Sequence, residues 1–191
     1  MSTVRVSWGR KLHILDFDIE NRPLSYGGQD FTFSDVTAIA CCTVGRPRSM
    51  QAWVLGETST ADMLSGFLER FREADIVTGH NVVRHDLPIL NGALLELGLP
   101  GLHPKLVSDT YRDLRRRQGV SASQESLAAM LGITSPKIGM SQKDWRMANR
   151  LLPEGLVKTR ARVVGDVVQH QALRKELLRL GWLRAPRMWR P

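Results

Sequence analysis

Apolar and polar residues alternate through the first recognisable element of the chain. From His13 to Glu20, Leu15, Phe17 and Ile19 fall on one parity and Asp16, Asp18 and Glu20 on the other. Alternation is the period of a β-strand, so the pattern predicts three carboxylates on one face and three apolar side chains on the opposite face. Asn21 to Asp35 is rich in Gly, Pro, Asn, Asp and Ser and predicts a loop. Phe31 to Val44 and Met50 to Leu55 read as two further strands, separated by the turn Gly45-Arg46-Pro47-Arg48.

The period then changes to helical. Thr60 to Arg72 places Met63, Leu64, Phe67, Leu68 and Phe71 on one face, with Ser59 or Thr60 as cap. Ala74 to Thr78 predicts a short buried strand, and His85 to Leu97 a helix stopped by Gly98 and Pro100. Leu106 to Ser108 predicts a strand, followed by a helix through Arg117. Ser123 to Leu131 reads as a helix with a capping-box-like start, ended by Gly132. Gly139 to Leu152 is polar with a helical stretch, and Leu156 to Leu180 reads as one long helix containing Gly165. The tail, Gly181 to Pro191, is expected to be irregular. Strands first, then strands alternating with helices, predict one α/β domain over residues 1–191 with a mixed sheet.

Composition narrows the class. Apolar content of 42% and charged content of 24% are ordinary for a soluble globular protein. MSTVRVSWGR has no apolar core of a signal peptide, and the apolar run at Val36 to Val44 is too short for a bilayer. The only cysteines, Cys41 and Cys42, are adjacent and expected on opposite strand faces. They form neither a disulfide framework nor a metal spacing, so a reducing, cytoplasmic setting is expected.

The net charge of +8 is unevenly placed. Residues 1–141 hold 15 basic and 15 acidic side chains, and residues 142–191 hold 12 and 4, so the excess belongs to the C-terminal part. Arginine outnumbers lysine 21 to 6, and guanidinium is the better bidentate phosphate partner. This predicts either a polyanion-binding surface or a merely solvated basic face.

Three acids on one strand face repel each other, so they read either as a site for a hard divalent cation or as a strand end reaching solvent. Two more acids suit the first reading. Asp86 follows Thr78-Gly79-His80-Asn81, where a strand passes into a helix, and Asp166 lies among Val163, Val164, Val167 and Val168 on the long helix. The plainer alternatives are a helix N-terminal acid for Asp86 and an ion pair to Arg162, four residues earlier, for Asp166. Carboxylates from three separate segments, without a Cys/His cluster, favour magnesium or manganese over zinc.

DFDIE, GHNVVRHDLPIL and RARVVGDVV, in that order, resemble the three motifs of the DEDD (DnaQ-like) 3′–5′ exonuclease superfamily over about residues 11–180. SQESLAAMLGI and KDW are similar to phage-encoded members. The resemblance implies an RNase H-like fold, a mixed β-sheet flanked by α-helices. It further implies that Asp18, Glu20, Asp86 and Asp166 bind two divalent ions, Mg2+ or Mn2+, and hydrolyse phosphodiester bonds at the 3′ end of DNA or RNA by a two-metal mechanism. Asn81 matches the second motif, and Asn21, His85, Arg162 and Lys158 are expected to touch the substrate. Asp16 falls outside the ligand positions. The expected partner is a single strand or 3′ end, with a replication or repair polymerase alongside a stand-alone enzyme.

The third motif departs from the family. Members carry a Tyr four residues, or a His five residues, before the last Asp; here those positions hold Arg162 and Ala161. Arginine stays protonated and cannot serve as a general base. His170, one helical turn beyond Asp166, is a substitute or a structural histidine. The alternative function is a nucleic-acid-binding module that keeps the fold and has lost turnover.

Overall fold

A computed structural model describes residues 11–23, 34–115, 119, 122–134 and 138–191 of the chain. The elements run β1 (Ile14–Pro23), β2 (Ser34–Thr43), a 3-10 turn (Pro47–Ser49), β3 (Gln51–Val54), α1 (Thr60–Glu73), β4 (Ile76–Gly79) and α2 (Asp86–Glu96). They continue with β5 (Lys105–Asp109), α3 (Thr110–Leu114), α4 (Gln124–Met130), α5 (Gln142–Asn149), α6 (Pro153–Arg179) and β6 (Arg187–Trp189). The six strands form one mixed sheet in the order β3-β2-β1-β4-β5-β6. β1, β2 and β3 pair antiparallel, β4 and β5 join β1 in parallel, and β6 returns antiparallel to β5.

The alternation in β1 separates two cores. Leu15, Phe17 and Ile19 pack with Met63, Leu64, Phe67 and Phe71 of α1 and with Leu87, Ile89 and Leu90 of α2. The Phe17 and Phe67 rings lie 5.1 Å apart, tilted. On the other face, Ala38, Ala40, Cys42 and Val54 meet Leu156, Val163 and Val167 of α6. Cys41 and Cys42 fall into opposite cores, as the strand period requires. The small residues of β2 leave room for α6 to lie close to the sheet. That helix therefore faces the acidic parity of β1.

Four expectations need correcting. The tail is irregular only in part: Arg187–Trp189 form β6, with Lys105 opposite Trp189 and Val107 opposite Arg187. Trp189 is buried in the α1/α2 core, and Asp113 binds both the Arg184 backbone N–H and the Arg187 guanidinium. The region from Asn21 to Asp35 is shortened at both ends, because β1 runs to Pro23 and β2 begins at Ser34; residues 24–33 lie outside the described residues. The helix expected through Arg117 ends at Leu114, and Arg116 and Arg117 also lie outside them. The reciprocal capping box forms on α5, between Ser141 and Asp144, whereas α4 is capped by the Ser123 side chain alone.

Candidate metal centre

Asp18 and Glu20 leave β1 on the α6 side, and Asp166 reaches the same point from α6. One carboxylate oxygen of each lies within 4.8 Å of the others. Asp166 is buried, while Asp18 and Glu20 are partly buried. A register shift between Glu20 and Asn21 bends β1 directly after the second acid. Desolvation first, then the charges of Asp86, Asp166 and Glu20, push the Asp18 carboxyl well above its usual range.

Asp86 stands beside this group rather than within it. It is the first residue of α2 and almost wholly buried. The β1–β4 ladder runs only as far as Asp16 opposite Thr78, so the Ile19 N–H lies beyond it and donates to Asp86 Oδ1 at 3.2 Å. Burial lifts the Asp86 carboxyl to about 8, against the lowering effect of its backbone hydrogen bonds. The helix-terminus reading and the cluster reading both apply: Asp86 accepts backbone N–H groups and also carries a charge felt by Asp18.

Arg162 closes the cluster from α6. Its Nε–H donates to Glu20 Oε1 at 2.5 Å, and Nη2 lies 3.8 Å from Asp166 Oδ2. The guanidinium sits over Trp145, 5.5 Å from the ring centroid, and Nη1 donates to the Ile138 carbonyl at 3.4 Å. Burial opposes its charge, but Glu20, Asp166 and Asp18 outweigh that and push its pKa up.

The second motif is shaped by two backbone requirements. At Gly79 a Cβ would stand 2.8 Å from the Phe17 carbonyl oxygen, a clash with backbone. Asn81 adopts φ 70°, a left-handed conformation that Asn tolerates better than most residues. The Asp109 carboxylate holds the loop, accepting from the N–H groups of Asn81 at 3.0 Å, Val83 at 3.1 Å and Arg112 at 3.0 Å. Asp109 was not singled out from the sequence, although a strand-end Asp before a helix is an N-cap signal. Asn81 faces a cleft of about 290 Å³ together with Asp18, Asp166, His80, Tyr111 and Gln124. Its Oδ1 is buried without a hydrogen-bond partner there.

The remaining predicted residues divide. Asn21 Oδ1 lies 3.2 Å from His85 Nε2, beside Glu20, so this pair borders the cluster. Burial lowers the His85 pKa and favours its neutral ring. Lys158 is not brought to the cluster: its ammonium pairs with Asp144 of α5. Arg160 binds the Ala52 carbonyl and Glu57. His170 and Asp16, the other acid of the β1 face, pair in the interior, with His170 Nε2 3.1 Å from Thr110 Oγ1.

Three carboxylates with oxygens this close, with one guanidinium and no soft donor beside them among the described residues, form a set suited to a divalent cation with oxygen preference. No helix among the described residues is long and apolar enough to cross a membrane.

No protein-family model matches the chain, and no curated protein matches it. Among solved structures, it is similar to the family B DNA polymerase from the hyperthermophilic archaeon Pyrobaculum calidifontis, with a TM-score of 0.70 and 20% identity. That match covers 88% of this chain and 25% of the polymerase, so the chain spans about a quarter of its relative's length. At this identity the likeness concerns architecture, and with the mixed sheet and its flanking helices it establishes an RNase H-like α/β fold.

Proposed function

We propose that the protein is a metal-dependent 3′–5′ exonuclease of the DEDD (DnaQ-like) type, acting on the 3′ end of DNA or RNA. The observation that carries this reading is the convergence of Asp18, Glu20 and Asp166 within 4.8 Å at the edge of an open cleft. Asp18, Glu20 and Asp166 would hold the ions, Mg2+ or Mn2+, and Asp86 would add charge and fix the β1 backbone behind them. Divalent ions held by these carboxylates would supply Lewis-acid chemistry, polarising the phosphodiester and lowering the pKa of water.

The chain's own residues supply orientation. Arg162 presents a guanidinium at the rim of the cluster, suited to a phosphate oxygen. Asn81, His80 and Tyr111 line the cleft where the terminal nucleotide would lie. Arg162 cannot accept a proton, and His170 is engaged with Asp16 and Thr110, so neither supplies a free base. With neither residue free to take a proton, water activation would fall to the ions, and the rate is expected to rise with pH.

The second reading is a nucleic-acid-binding module without turnover, and one observation favours it: Glu20 is occupied by Arg162. A 5′-labelled single strand separates the two. Stepwise shortening from the 3′ end with Mg2+ or Mn2+, abolished by EDTA, supports the exonuclease. Binding of the same strand without shortening in either metal supports the module.

A further inference from the structure

We propose that Arg162 is a resident cation of the acidic cluster, which an incoming divalent ion must displace from Glu20 before the site is complete. The proposal rests on the metal-site reading above and adds how that site is gated. The guanidinium is fixed from four directions: Glu20 at 2.5 Å, Asp166 at 3.8 Å, the Ile138 carbonyl at 3.4 Å, and the Trp145 ring at 5.5 Å. These contacts hold one positive charge between two of the three carboxylates that gather within 4.8 Å.

A divalent ion in that group meets two costs. It must break or lengthen a charge-assisted hydrogen bond to Glu20, and it must approach a like charge held in a partly desolvated setting. The single guanidinium does not neutralise the cluster, because Asp18, Glu20 and Asp166 together carry more negative charge than it balances when ionised. The outcome is competition rather than blockade. The site loads at a higher metal concentration than a bare carboxylate cluster would need.

Displacement also has a use. A guanidinium released from Glu20 and from the face of Trp145 but retained by the Ile138 carbonyl stays on the wall of the site as a forked donor for phosphate oxygens. Metal loading and capture of an anionic strand then reinforce one another, as reciprocal linkage requires. In the absence of metal, the same arginine offsets repulsion that would otherwise loosen the β1–α6 contact.

The experiment is a calorimetric titration of the full chain with Mn2+, without nucleic acid, in four proteins: wild type, Arg162→Gln, Trp145→Leu and Asp18→Asn. Arg162→Gln is expected to bind Mn2+ about tenfold more tightly than wild type, the size of a charge-assisted hydrogen bond that no longer has to be broken. Trp145→Leu, which removes the ring without changing charge, is expected to tighten binding by a smaller factor. Metal-free Arg162→Gln should melt earlier than wild type, and saturating Mn2+ should shrink that difference. Unchanged Mn2+ affinity in Arg162→Gln overturns the gate, and so does tightening in that variant with none in Trp145→Leu, since the arginine would then act only as a diffuse charge. If wild type and Asp18→Asn bind Mn2+ alike, the metal-site reading itself fails, whatever Arg162 does.

Discussion

The His170 ring nitrogen Nδ1 lies 2.8 Å from both carboxylate oxygens of Asp16, in a pair almost wholly removed from solvent. The two residues stand 154 positions apart and tie α6 to β1 near its start. Burial raises the Asp16 pKa, and His170, followed by Arg174, works against that rise. His170 is thus a tether behind the acidic cluster rather than a base in front of it.

Replacing that ring tests the assignment. His170→Ala leaves the Asp16 carboxyl buried without its partner and is expected to cost about 3 kcal/mol of stability. Chemical denaturation reads this directly. Mn2+ affinity of the folded variant should change little. Full stability with complete loss of cleavage would place His170 in the chemistry instead.

Charge repulsion makes a second prediction. Asp18→Asn removes an acid whose carboxyl is pushed up by burial, then by the charges of Asp86, Asp166 and Glu20, so the metal-free protein should gain about 1 kcal/mol. The same change should erase the rise in melting temperature that Mg2+ gives wild type. Thermal melts with and without metal measure both effects.

Asp144 gives a pH prediction away from the cluster. Its hydrogen bonds to Lys158 and to the Ser141 side chain and backbone hold its carboxyl well below the usual range. For a lowered acid pKa, stability is present above the unfolded value of 3.8 and is lost as pH falls through the folded one. Asp144→Asn should therefore show a constant deficit near neutrality that shrinks on acidification below about pH 4. A deficit independent of pH down to acid unfolding would contradict the pairing.

The tail, expected from the sequence to be irregular, contributes the strand Arg187–Trp189 to the sheet. Residues 184–191 place Trp189 in the core and Arg187 on Asp113, so their removal should destabilise the domain by roughly 2 kcal/mol or more. The melting temperature of the truncated chain, without nucleic acid, measures this. An unchanged melt would return the tail to the role of solvated surface.

What the sequence disclosed was local. Alternation along β1 identified which acids share a face, and the spacing of Asp166 among valines put a carboxylate on the side of α6 that meets them. What it withheld needed distant partners. Nothing in Arg162 or Lys158 alone distinguishes a residue that reaches Glu20, 142 positions away, from one that pairs with Asp144, 14 positions away. β6 is three residues long and exists only because β5 offers an edge, so its own pattern carries little strand signal. Asp109 was hidden for a similar reason, since its role depends on where the loop after Gly79 comes to rest.

The central claim is that the Asp18, Glu20 and Asp166 cluster carries metal-dependent cleavage. Its most direct measurement is degradation of a 5′-labelled single strand, comparing wild type with Asp18→Asn purified identically, over a range of Mg2+ and Mn2+ concentrations. The account predicts stepwise 3′ shortening by wild type that depends on metal, with a fall of at least about 100-fold in the variant, whose fold is intact by circular dichroism. Equal cleavage by the two proteins, or cleavage by wild type that persists in EDTA, would contradict it.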